Sequence, residues 1–596
     1  MYRFFDRVNN AKAYNQLLAD PRDYMKIAAF GTQPNEKPFI AVNAEQFALY
    51  VCADYVESQR IHRAMQAISS GKVVYVPSKE DVLLYKRNAS KNLVYSRNLA
   101  LQQILHGADA AVVCVEALMQ FFPHRNQFFA DCFTLKKSVC YDTKMLVRKL
   151  VHNGFVRVDS ISGEGEFTMR GDILDISLPF GQRFRIDFFD DEVECIKQVN
   201  DEGVATDEVM SVEVYPLYDT CGMSVEKLAD VNKYIRRTKL SPNAQARLAE
   251  IVSELSVQGG DRVDNGWLAP FCAHSPLWDY LPVDCVVFWD EPRELTTRVN
   301  FLYREHVERV ANLTKAGEVL PLHDKALREK DDVFQNDFPQ ITLQVLPYAI
   351  EWFTPQVVRN FKTGAVPNYS KGVDNLATDI RNWKNTGYET VILAGTDGVK
   401  PTQDALSAVG CYVAEADRLA PNQADGLILP IGLEHGFVSH TNKLAIIGTR
   451  DLGRGLNQQS LHKAKKQAFL SVEKGDYVVH DIHGIGLCEG IQKITSPSGE
   501  QKDYVVVLYK NGDRLYVPVD ATNMLSRYSG GENPTLSRLG GEDFAKVKNK
   551  VKSGIREMSV NLLQLYAERE KSRGFRYNID EYLEEEFNQY FPYKAT

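Results

Sequence analysis

Short apolar runs alternate along the first 125 positions with stretches whose apolar residues recur at steps of three and four. "KPFIAV" (37–42), "KVVYVP" (72–77) and "ADAAVVCV" (108–115) are predicted as strands, and "EQFALYVCADYVESQRIHRAMQAI" (45–68) has helical spacing. Strands alternating with helices predict a mostly parallel sheet. The period shifts after residue 130. Within 154–199, "GFVRVDSISGEGEFTMRGDILDISLPFGQRFRIDFFDDEVECIKQV", apolar and polar residues alternate between Gly-rich turns, which predicts a small antiparallel module. There Phe184, Ile186 and Phe188 share one face of a strand, and Arg185, Asp187 and Phe189 the other. Residues 217–330 return to helical spacing around one strong strand, "DCVVFWDEP" (284–292), followed by a helix over 297–317 that stops at Gly317.

Strand runs at 389–397, 411–416, 426–432 and 443–449 predict a second α/β unit over 340–455. The polar stretch 454–475 reads as a linker. Residues 475–528 are dense in β-signals, and Asn511-Gly512 between alternating runs marks a hairpin. A long helix is expected over 543–570, where Phe544, Val547, Val551, Ile555, Met558, Leu562 and Leu565 form one stripe. The fold class is therefore multidomain α/β, with a small β-barrel and a long helix at the end.

Composition narrows the function classes. Of the 596 residues 44% are hydrophobic and 25% charged, as packed domains require. The net charge of −8 does not suit a protein that coats nucleic acid by charge alone. Any DNA or RNA contact must come from a local patch or from a part outside this chain. No apolar run reaches the roughly 20 residues of a membrane span, and "MYRFFDRVNNAKAYNQ" lacks a signal-peptide core. The ten cysteines never fall as C-x-x-C, which fits a reducing, cytoplasmic setting.

The candidate chemistry is sparse. No P-loop is present: "GTQPNEKPF" (31–39) lacks both the second glycine and the Lys-Ser/Thr pair that cradle phosphate. Asp290 and Glu291, at the end of a strand, would hold Mg²⁺ and activate water in an ATPase. Without a cradle they read as a vestigial nucleotide site. His480, Asp481, His483 and Cys488 invite a metal reading but lack a second His/Cys pair, so no metal is expected. His480 is expected to close a strand and His483 to cap a glycine turn. Arg185 and Phe189 on one outward face, with Arg170 at a nearby strand end, suit a protein-binding hot spot. The same pattern also fits Phe189 covered by a neighbouring domain and Arg185 paired with a carboxylate. Lys546, Lys548, Lys550 and Lys552 spread around their helix and read as a solvated face. No catalytic residue is expected in this chain.

Three stretches carry a family resemblance. "GDYVVHDIHGIGLCEGIQKI", "DYVVVLYKNGDRLYVPVDATNMLSRY" and "LSRLGGEDFAKVKNKVKSGIREMSVNLLQLYAERE" resemble bacterial transcription-repair coupling factors (Mfd). "RGDILDISLPFGQRFRIDFFDDEVE" resembles the module that this family shares with UvrB, and "WDYLPVDCVVFWDEP" its degenerate nucleotide-binding half. The resemblance implies a degenerate P-loop-type α/β domain (1–128 and 217–335) with an inserted UvrA-binding module (129–216). It further implies a third α/β domain (336–455), a linker (456–474), an RNA polymerase-interacting CarD-like, Tudor-like barrel (475–530) and a relay helix (531–596). Arg170, Arg185 and Phe189 would face UvrA, and Ile494 with Lys493 the polymerase β subunit. The family's ATP- and Mg²⁺-dependent translocase follows "FPY-x-x-T". This chain stops at "FPYKAT" (591–596), so it resembles an N-terminal half or a motorless version that needs no cofactor and meets DNA only through the missing motor. "TRDLGRG" (449–455) departs from the acidic, aromatic form common in the family.

Overall fold

Seven parallel strands form the first sheet, in the spatial order Val357–Asn360, Lys26–Phe30, Gln340–Gln344, Val286–Asp290, Ala48–Cys52, Ala110–Cys114, Val73–Val76. Four of its five inner strands, from Gln340–Gln344 to Ala110–Cys114, are buried at every position. That is why three of them read as apolar runs, as strands covered on both faces do, while Gln340–Gln344 buries Gln340, Thr342 and Gln344 as well. Alternate residues feed two cores. Tyr50, Val112, Phe288 and Ile341 enter one. Leu49, Val51, Val113, Val287 and Trp289 enter the other.

The computed structural model describes residues 4–79, 82–83, 91–200, 204–221, 224–257, 262–263, 266–369, 372–415, 424–452, 475–480, 484–495, 501–518, 525–527 and 536–538. The expected linker and the helix expected over 543–570 lie outside the described residues, as do Asp481 and His483. The chain divides into two compact units, Met1–Lys463 and Ala464–Thr596. Among the described residues no helix is long and apolar enough to cross a membrane.

Three readings of the pattern change. "KPFIAV" is a helix, Lys37–Val42, not a strand. Pro38 in its first turn presets helical φ, and a short apolar run does not by itself separate helix from strand. The stretch 45–68 is two elements, the strand Ala48–Cys52 and the helix Tyr55–Ile68. The break falls at Asp54, whose side chain caps the helix by accepting from the Glu57 amide at 2.9 Å. Strands Gln340–Gln344 and Val357–Asn360, beyond residue 336, flank Lys26–Phe30 in the first sheet.

The inserted module is a six-stranded sheet in the order Ala205–Glu208, Glu192–Val199, Arg183–Phe189, Ile173–Ser177, Glu166–Arg170, Val156–Arg157. All pairs are antiparallel except the last. Its inner face (Phe167, Leu174, Ile176, Ile186, Phe188, Ile196) packs with Leu146 and Leu150 of the helix Thr143–His152. A third sheet, centred on the parallel strands Leu444–Ile447, Glu389–Leu393 and Gly426–Leu429, holds the expected strands of the second α/β unit. The helix Pro292–Ala316 ends at Gly317, as expected, at φ 75°.

The second unit contains a five-stranded antiparallel sheet in the order Arg514–Pro518, Gln501–Leu508, Gly484–Thr495, Tyr477–His480, Leu525–Arg527. The Asn511-Gly512 hairpin forms, with Gly512 at φ 84°. Val478, Cys488, Val505, Val507, Tyr509 and Val517 make the core.

Candidate functional site

The outer face of the inserted sheet is a grid of polar side chains. One row runs Thr168, Asp175, Arg185, Lys197 across four strands, and the next runs Arg170, Ile173, Asp187, Cys195. Arg185 grips its cross-strand neighbour Asp175 with two bonds, Nε to Oδ1 at 2.7 Å and Nη2 to Oδ2 at 3.1 Å. This pair is partly exposed, so its own contribution to stability is small. Its effect is to fix the guanidinium plane with other N–H donors still available, held above its ordinary pKa by the bond to Asp175. In the second row, the Cys195 thiol donates to Asp187 Oδ2 at 3.0 Å, and Lys197 Nζ lies 3.5 Å from the same oxygen.

Arg170 and Arg185 line one hollow of about 230 Å³ together with Arg183 and Asp175. The Arg170 guanidinium donates to the Asp159 carbonyl. Phe189 lies outside this hollow, at the end of its strand. It pairs with Glu192 across a two-residue turn, Asp190-Asp191, with Asp190 at φ 55°. Phe188, two residues after the buried Ile186, turns into the core by alternation, the extra residue of the register slip is Glu194 on the partner strand, and Phe189 stands at the hairpin tip, 77% exposed. Of the two readings left open by the pattern, Arg185 does pair with a carboxylate, but among the described residues of its unit nothing covers Phe189. Arg183 and Asp175 were missed by the sequence reading. Cross-strand register, which sequence does not print, places Asp175 beside Arg185, whereas Arg183 shares its face by simple alternation along the same strand.

The second candidate lies where the first sheet's strands end. Lys37, 1% exposed, places Nζ 2.6 Å from Asp290 Oδ1 and 2.7 Å from Glu291 Oε1. Burial works against charge on both sides of this pair and lifts Asp290 above the usual carboxylate range. The ammonium faces two carboxylates, which outweigh its own burial and hold Lys37 above its ordinary value. Glu291 also accepts from the Val345 amide at 2.8 Å and Tyr348 Oη at 3.0 Å. A divalent ion would have to displace a buried lysine from both carboxylates. Beside Lys37, Glu36 accepts from Tyr14 Oη, from Thr363 Oγ1 at 2.9 Å and from the Gln33 amide at 3.0 Å. The segment between the first strand and this helix thus binds its own carboxylate. Lys37 and Glu36 were not singled out from sequence, because "NEKPF" carries no motif.

In the second unit, Ile494 and Lys493 lie on the strand Gly484–Thr495, opposite Lys502 and Asp503. Past Cys488, whose backbone still exchanges hydrogen bonds with Gly475 and Asp476, this strand pairs only with Gln501–Leu508 among the described residues. The expected surface strand is thus the far half of an inner strand. A bulge at Glu489 interrupts its register, and Ile491, just past the bulge, is 64% exposed. His480 ends its strand opposite Gly484 and is buried. Cys488 is in the core, and burial pushes its thiol up. Among the described residues no group of three or more His, Cys, Asp or Glu side chains could hold a metal ion.

Residues 133–219 match the UvrB interaction domain, and residues 472–529 match the CarD-like/TRCF RID domain. The chain is 28% identical over 552 residues to the transcription-repair-coupling factor of Bacillus subtilis strain 168, covering 86% of this chain and 46% of that protein. It is 23% identical over 620 residues to that of Staphylococcus haemolyticus, covering 99% and 53%. Against that of Staphylococcus aureus strain USA300 it is 24% identical over 600 residues, covering 95% and 51%. The chain spans about half the length of the curated relatives it matches.

Proposed function

We propose that this chain, similar over most of its length to transcription-repair-coupling factors, is an adaptor that joins RNA polymerase to nucleotide-excision repair. The observation that carries the reading is the presence, in one such chain, of a UvrB interaction domain and a CarD-like/TRCF RID domain. The first would recruit UvrA and the second would hold the polymerase. In a parent protein with an ATP-dependent DNA translocase, the adaptor would aim that motor at stalled polymerase.

At the UvrA-facing surface, Phe189 is the apolar anchor and Arg170, Arg183 and Arg185 are the charged rim. An exposed aromatic on the same sheet face as arginines held by Asp175 and the Asp159 carbonyl suits a hot spot. The polymerase-facing surface is the strand Gly484–Thr495, with Ile494, Lys493 and the exposed Ile491. Lys37 supports a scaffold role for the first sheet, since it already neutralises the carboxylates an ATPase would give to Mg²⁺. Equilibrium binding to purified UvrA tests the first surface. Arg185→Ala with Phe189→Ala should weaken it by roughly tenfold or more, and equal affinity would refute the assignment. A pull-down with the polymerase β subunit tests the second, where Ile494→Arg should abolish capture.

A further inference from the structure

The helix Thr143–His152 has a second face that the module's core does not use. Leu146 and Leu150 point into the core, whereas Met145 lies three and four residues before Arg148 and Lys149, and these lie four and three before His152, on another side. Met145 is 59% exposed, and Arg148 is also exposed. With Phe133 and Tyr141 this stripe lines an open groove of about 520 Å³.

The charge on this groove is basic on balance, with Arg148 and Lys149 against the single lining carboxylate Asp142. Asp142 accepts from the Lys144 and Met145 amides at 2.9 and 3.0 Å, so its carboxylate caps the helix. Asp131 is buried and faces His152 at 3.4 Å. Lys149 lies over the Phe133 ring, 4.6 Å from its centroid, and donates to the Ala130 carbonyl at 3.2 Å. Asp131 is thus taken up within the module, Asp142 remains in the lining as the helix cap, and Arg148 with Lys149 leaves the rim net positive beside an apolar floor. The inserted sheet separates this groove from Arg170 and Arg185, since Leu146 and Leu150 pack on the face opposite those arginines.

We propose that this groove is a second docking site of the module, which takes an acidic, amphipathic helical segment of a partner protein. The apolar floor receives the segment's leucine or phenylalanine anchors, and Arg148 and Lys149 pair with its carboxylates. The site is independent of the UvrA reading, and its position across the sheet lets both surfaces be occupied at once.

The probe is a fluorescein-labelled peptide of about fifteen residues, with leucine and phenylalanine at helical spacing and glutamate elsewhere, titrated into the full chain by anisotropy. Met145→Ser with Arg148→Glu should weaken binding by roughly tenfold or more; both side chains are exposed, so folding is retained. Arg148→Lys should bind nearly as the unaltered chain does. Arg185→Ala with Phe189→Ala should leave peptide affinity unchanged, whatever it does to UvrA. No binding, equal binding by the Met145/Arg148 variant, equal binding of a lysine-for-glutamate peptide, or loss on changing Phe189 would each overturn the proposal.

Discussion

Lys37 is one side chain on which the first sheet's end depends. It is buried and holds two carboxylates, so its removal would leave Asp290 charged and unpaired in the interior. Lys37→Met should cost about 3 kcal/mol in urea unfolding. Adding Asp290→Asn should recover part of that loss, because the charge it strands is then gone. Its neighbour Glu36 gives a pH signature. Burial raises this carboxyl from the ordinary 4.5 to about 7, against the pull of the Tyr14 and Gln33 bonds. Across that window the folded chain keeps the proton and the unfolded chain releases it. Glu36 therefore lowers stability as pH rises from about 4.5 to about 7, by up to about 1.4 kcal/mol per unit. Glu36→Gln should flatten the slope of unfolding free energy across this range relative to the unaltered chain. A slope identical in both proteins would contradict it.

At the scale of elements, turns decide where strands can end. Gly31 follows the strand Lys26–Phe30 at φ 77°, and a Cβ there would fall on the Phe361 carbonyl. Gly171, at φ 58°, faces open space. Both positions are strained for any residue with a side chain, but only the first also clashes. Gly31→Ala should therefore lower stability by about 2 kcal/mol more than Gly171→Ala, measured by thermal unfolding. Element type was legible where length and period were unambiguous, as in the strand Val286–Asp290 and the helix Pro292–Ala316. It was not legible for Lys37–Val42, a short apolar segment that becomes helix because Pro38 opens it, and whose Phe39, Ile40 and Ala41 enter one core of the first sheet.

For the whole molecule, the two candidate partner surfaces belong to different compact units. Changes in one should not propagate to the other. Arg185→Ala with Phe189→Ala should spare polymerase capture, and Ile494→Arg should spare UvrA affinity. Reciprocal losses measured in both assays would instead require one shared surface. The strands at 340–344 and 357–360 show how the larger architecture escapes local reading. They are apolar or β-rich like many others, and only their pairing beside Lys26–Phe30 assigns them to the first sheet.

The sequence by itself determined the alternation of element types, the hairpin at Asn511-Gly512, the lack of a phosphate cradle and the outward placement of Arg185 and Phe189. These follow from periodicity and local steric preference, which act over a few residues. Tertiary structure decided what each of those residues meets. It gave Arg185 to Asp175, left Phe189 at a hairpin tip, closed Lys37 onto Asp290 and Glu291 from 253 and 254 positions away, and set the groove at Met145 and Arg148 on the other side of the sheet. Register and long-range burial make those choices, and neither is encoded in any short stretch of the chain.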